Sequence, residues 1–199
     1  MRSQLAAVTA QVADGPGWTR ESAAPNDRPW ADVQLLYADA LEAWRNNLPA
    51  KRIVDITGDY VVADGIRLDG PGPVGRFLRR WWNHPENRMD LRLPDPVDEL
   101  TRAGDLFASL HRNPQDGQSY LRLVPKDRIN RIETAPNDWV TELAYEERTD
   151  AAGARSWLAA DHRDAPRQAA VMVHYAVNGP VGALLGESDL APLLPWMRR

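Results

Sequence analysis

The side chains that could do chemistry here begin with four histidines, His84, His111, His162 and His174. Imidazole titrates near neutrality and is the commonest metal ligand. None of the four stands in a His-Glu-x-x-His spacing, and a cysteine count of zero removes thiolate metal sites and disulfides. No metal and no cofactor is expected. His111 and Asp116 flank turn-forming residues, so a hairpin could bring a base to a carboxylate that orients it. No nucleophile stands beside them in the sequence, and the expectation is solvated groups on a loop rim. His174 sits inside the apolar run of residues 171–177 and is expected to be a hydrogen-bonded core residue.

Two glycine-containing pieces are candidates for phosphate or nucleophile motifs. Asp69-Gly70-Pro71-Gly72-Pro73 lacks the Gly-Lys-Ser/Thr ending of a phosphate loop, and its prolines remove amides that a phosphate would need. Gly182, Gly186 and Ser188 do not form Gly-x-Ser-x-Gly. No catalytic residue is expected. Arg76, Arg79 and Arg80 beside Trp81 and Trp82, with Arg88 and Arg92 following, are the nucleic-acid candidates. Guanidinium groups pair with phosphates and indoles stack on bases. The net charge, 24 − 28 = −4, supplies no broad basic field. A helix with a buried Trp face and Arg stems across its edges is expected, binding DNA weakly at most.

Several elements must position these groups. Residues 1–29 are rich in Ala, Gly, Pro, Asp and Ser, with Trp18 as the one aromatic group. A flexible arm is expected, with a clasp onto a neighbouring subunit through Trp18 as its functional alternative. Val33, Leu36, Tyr37, Ala40, Leu41 and Trp44 recur at helical spacing, and a second helix is expected from Pro49 through Ile53, Ile56 and Tyr60. A third runs through Phe77, Leu78, Trp81 and Trp82. Asp95 and Pro96 suit a helix start and Gly104 its end. Residues 105–125 then read as a β-hairpin with Gln115 and Asp116 at its tip, stopped by Pro125 and followed by a connection through Ile129 and Ile132.

Farther on, Trp139, Thr141, Leu143 and Tyr145 alternate with polar neighbours as a strand with one wet face. A turn at residues 150–153 precedes a returning strand over 156–159. Residues 171–177 read as a strand covered on both faces. Ser188 and Asp189 open an amphipathic stretch through Leu190, Leu193, Leu194 and Met197, with regular helix starting near Pro195. The fold class expected is α+β, N-terminal helices followed by a small, mainly antiparallel sheet and the start of a C-terminal helix.

Three blocks in a fixed order carry a resemblance. The first is Asn47-Leu48-Pro49, Arg52-Ile53-Val54, Asp59-Tyr60-Val61-Val62 and Gly65-Ile66. The second is Leu100, Arg102-Ala103-Gly104-Asp105-Leu106-Phe107, Arg112-Asn113-Pro114, Gly117 and Tyr120-Leu121-Arg122-Leu123-Val124-Pro125. The third is His174-Tyr175, Val177-Asn178, Pro180, Gly186, Ser188-Asp189-Leu190 and Leu193-Leu194. Over about residues 30–199 the chain resembles the wing part of tailed-bacteriophage portal proteins, the head-to-tail connector subunits.

The resemblance implies a structural virion component in a homo-oligomeric ring at one capsid vertex. Its implied partners are other portal subunits, the packaging ATPase (terminase), capsid and tail-adaptor proteins, and double-stranded DNA held non-specifically in the channel. It implies localisation in the virion, and in the host cytoplasm during assembly. The chain stops where the family's stem, clip and tunnel helices would follow, so a partial subunit is expected. Leu190, Leu194, Trp196 and Met197, with Trp18, are then the subunit-interface candidates. The alternative is a stand-alone binding module or cryptic hydrolase using the His111/Asp116 rim or the Arg/Trp helix. No stretch approaches the roughly 20 apolar residues of a membrane span, and no membrane partner is expected.

Overall fold

The computed structural model describes residues 24–62, 65–150 and 153–197. Trp18 and most of the expected arm lie outside the described residues. Residues 24–29 do not behave as an arm. Ala24 is buried, Asn26 N–H donates to Gly182 O (3.0 Å), and Asp27 Oδ1 accepts from the amides of Leu184 (2.8 Å) and Leu185 (3.0 Å). Those bonds fix the entry of the chain into its first helix.

Helix α1 (Trp30–Asn46) buries Val33, Tyr37 and Ala40, as its apolar stripe requires. One residue, Asn47, separates it from α2 (Leu48–Val62), and Asn47 Oδ1 accepts from the Ala50 amide (3.2 Å) to cap that helix. The buried face of α2 is Ala50, Val54 and Gly58, which corrects the expected stripe. Ile53 packs partly against the core, but Ile56 and Tyr60 face outward, Tyr60 being 88% exposed. Small residues win because another helix crosses here: a Cβ on Gly58 would sit 3.4 Å from Asp98 Oδ1. Helix α3 (Gly72–Trp82) buries only Gly75. Trp81 and Trp82 are half-buried and Phe77 is exposed, so its Trp face is less covered than expected.

After the short α4 (Met89–Arg92), α5 (Pro94–Ala103) starts earlier than expected. Pro94 takes the opening turn, where a missing N–H costs nothing, and Asp95 lies inside that turn instead of capping it. Gly104 ends the helix in the left-handed region (φ +78°), its N–H donating to Leu100 O (2.8 Å).

Among the described residues the strands form two three-stranded antiparallel sheets, so the fold is α+β. β1 (Asp105–Asn113) and β2 (Gln118–Val124) are the expected hairpin, with an exposed tip and Gly117 at φ +67°. β3 (Ile129–Ala135) corrects the expected connection: it pairs with β4 (Asp138–Arg148), which pairs with β5 (Ala154–Leu158). β6 (Ala170–Ala176) joins β1, giving the order β2-β1-β6. It is an edge strand with Tyr175 exposed, not a strand covered on both faces.

One core spans both sheets. Phe107, Val124 and Met172 meet Ile129, Ile132, Tyr145, Trp157 and Ala159. A parallel bridge between Ala159 and Met172 ties the sheets together, with Ala160 N–H donating to Met172 O (2.8 Å). The outer edge of β2 is closed by one side chain. The Asn87 amide donates to Ser119 O (3.0 Å) and accepts from Leu121 N–H (3.0 Å), as a neighbouring strand would.

A second cluster holds Ala40, Ala50, Val54, Leu190 and Leu194. Two of the interface candidates are therefore corrected: Leu190 and Leu194 are buried against α1 and α2 of their own chain. Met197, in α6 (Leu194–Met197), packs on the rim of the same cluster, while Trp196 is 71% exposed. The C-terminal stretch finds partners within the described residues.

Candidate functional site

The densest chemistry in the molecule joins residues that are far apart in sequence. Asp105 opens β1 directly after the Gly104 cap, and its carboxylate is fully buried. Asp105 Oδ1 accepts from Gly186 N–H (2.7 Å) and pairs with His174 Nε2 (2.9 Å). Asp105 Oδ2 meets the ammonium of Lys126 as an ion pair without an aligned hydrogen bond. Lys126 Nζ donates to Ala103 O (2.9 Å) and Gly186 O (3.4 Å). On the other side of the imidazole, His174 Nδ1 pairs with Glu142 Oε1 (2.6 Å), and the Tyr145 hydroxyl donates to Glu142 Oε2.

The result is a line of alternating charge, Lys126, Asp105, His174 and Glu142, that crosses from one sheet to the other. Burial alone would push the His174 imidazolium down, but the Asp105 and Glu142 carboxylates outweigh it and raise its pKa to about 9. The Tyr145 phenol is pushed well above its ordinary range by burial and by Glu142. Asp27, bonded to the adjoining 184–185 backbone, is raised chiefly by burial. Each ring nitrogen of His174 faces a carboxylate, and Phe107 covers one face of the ring at 4.3 Å. This imidazole has no lone pair left for a proton or a metal at neutral pH. Its chemistry is that of a fixed cation joining two sheets.

His111 and Asp116 are not brought together. His111 Nε2 lies 3.0 Å from Ser109 Oγ, and the ring stands edge-on to Trp157. Burial, then Arg122 and Arg155, lowers its pKa. The Asp116 carboxylate accepts from the Tyr120 hydroxyl and from Gln118 N–H (2.8 Å), and the Tyr120 bond holds its pKa below the usual range. Ser109 and His111 form a hydroxyl–imidazole pair that the sequence reading missed, although both lie on one strand face two residues apart. Ser109 is buried, and among the described residues no carboxylate is hydrogen-bonded to the imidazole, so the pair lacks the third member of a nucleophile–base–carboxylate set.

Among the arginine candidates, Arg80 is engaged, donating to Asp116 O at the hairpin tip (2.6 Å). Arg76 and Arg79 are exposed on the same side of α3 by their spacing, and Arg79 borders a shallow groove with Arg67 and Trp82.

The chain matches no family model, and no curated protein matches it. Among the described residues no group of three His, Asp or Glu side chains is arranged to hold a metal ion, and no helix is long and apolar enough to cross a membrane.

Proposed function

We propose that this chain is the wing part of a portal-type subunit, one member of a ring at a viral capsid vertex through which double-stranded DNA is packaged and released. Its partners are then other copies of the subunit, the packaging ATPase, and capsid or tail-adaptor proteins. The observation that carries the reading is the apolar surface left open on two helices, where Leu48, Ile56, Tyr60 and Val61 of α2 and Val74 and Phe77 of α3 are exposed. Large exposed apolar surface marks an interaction site in a soluble protein. A second exposed set, Val181 and Trp196, lies on other elements. A ring needs two unlike surfaces on each subunit because its contacts are heterologous. The buried charges support the same reading, since they are spent on holding the sheets together.

DNA contact in this reading is non-specific and belongs to the assembled channel, with Arg76 and Arg79, exposed on α3, as candidate contacts. The test is assembly. The complete reading frame that contains this sequence is expressed, and its products are examined by mass photometry and negative-stain microscopy. Closed rings with a central channel are expected. A monomer at every concentration up to tens of micromolar overturns the reading.

A further inference from the structure

β6 is the outer strand of its sheet, and its register identifies which backbone groups point away from β1. Arg112 N–H donates to Ala169 O (2.7 Å) and Val177 N–H to Gly104 O (2.8 Å), so the odd-numbered residues of this strand face β1. The even-numbered residues face outward. Met172 uses its outward carbonyl on Ala160 N–H (2.8 Å). Beyond that bridge, the outward N–H and C=O groups of His174 and Ala176 have no backbone partner among the described residues. Burial agrees. The His174 side chain is 2% exposed, yet the residue as a whole is not fully buried, so what reaches solvent is its main chain.

A second open edge lies across from it. β4 pairs with β5 only from Ala144 onward, so residues 140–142 have no β5 partner, and of the three only Glu142 is in register with β3. Between the two edges runs a groove of about 430 Å³, walled by Val140, Thr141, Val173 and Tyr175 and carrying Glu142 and Asp161. Glu142 is already matched by His174 and Tyr145. Asp161 is exposed, with no ion-pair partner among the described residues.

We propose that this groove takes an extended segment of a second polypeptide by strand addition along β6, with a lysine or arginine of that segment facing Asp161. Unpaired outward N–H and C=O groups are satisfied by another strand, and apolar walls accept its alternate side chains. The uncompensated carboxylate gives the sign of the charge. This inference stands apart from the portal reading and holds whether or not the chain forms rings.

The probe is a fluorescein-labelled six-residue peptide of alternating valine and lysine, titrated with the full chain at low salt by fluorescence anisotropy. Saturable binding is expected. A peptide of alternating valine and glutamate, or the lysine peptide N-methylated on alternate amides along one edge, should bind about tenfold more weakly or worse. Asp161→Lys should reverse the charge preference, and Ala176→Pro, which removes one outward N–H and no bond to β1, should weaken both peptides. Thermal melts confirm that the variants fold. Equal binding of the N-methylated and parent peptides overturns strand addition, as does the absence of saturable binding. Binding that appears only once residues 1–23 are deleted overturns it too, because the edge would then belong to the chain's own terminus.

Discussion

His174 and Phe107 lie face to face, 4.3 Å between ring centroids and 5° from parallel, directly opposite each other on β6 and β1. The imidazolium rests on the negative face of the phenyl ring while carboxylates grip both its nitrogens. A charge that would be costly inside a core is thereby matched at both nitrogens and on one ring face.

That geometry makes stability depend on pH in the alkaline range. The folded pKa of His174, about 9, exceeds the ordinary 6.5, so the native state favours the protonated form. Its contribution is complete below about pH 6.5 and is lost as pH climbs through about 9; the difference is on the order of 3 kcal/mol. Melting temperature should fall between pH 7 and 10, and His174→Gln should flatten that fall. Parallel curves for the two proteins would show that the His174 imidazolium contributes nothing to the alkaline loss.

Lys126 and Asp105 should behave as a coupled pair. Lys126→Met leaves the buried Asp105 carboxylate without its ammonium partner and should cost about 3–5 kcal/mol. The double variant Asp105→Asn/Lys126→Met should cost less than the sum of the two single changes. Urea titration of the four proteins gives the coupling, and simple additivity would refute a shared network.

Gly104 should tolerate no side chain. At φ +78° an alanine is strained, and its Cβ would fall 2.4 Å from Glu187 N. Gly104→Ala should destabilise by roughly 3 kcal/mol. Gly117→Ala, at a comparable φ with open space around it, should cost only about 1–2 kcal/mol. Equal melting temperatures for the two variants would contradict the close approach of α5 to the 186–187 backbone.

The C-terminal residues separate into core and surface. Leu190→Ala opens a cavity beside Ala40 and Val54 and should cost about 2–5 kcal/mol. Trp196→Ser should change stability by less than about 1 kcal/mol, because its ring is mostly in water. If Leu190→Ala melts like the parent chain, that residue is not the core element described.

Much of the fold was legible from local rules. Helical spacing gave α1, the Gly104 terminator gave the end of α5, and Asn113 to Gly117 gave the turn between β1 and β2, because each depends on neighbours a few residues away. Alternation failed in β4 for a definable reason. Glu133 pairs with Ala144 and Thr134 with Glu142, so Leu143 is an extra residue, and the bulge turns Glu142 and Tyr145 toward a shared contact. The α2 stripe failed because hydrophobic size was read where close helix approach selected Ala50, Val54 and Gly58.

The composition and sequence order by themselves determined an α+β chain without thiol chemistry, and they marked His174 as a buried residue. They held no sign of its partners. Asp105 lies 69 residues away and Glu142 lies 32 away, and nothing local links them. Only the pairing of β6 with β1, and the packing of that sheet on β4, brings these charges within bonding distance. Long-range electrostatic pairing is a property of the assembled sheets, because Coulomb attraction acts on distance in space and is blind to order along the chain.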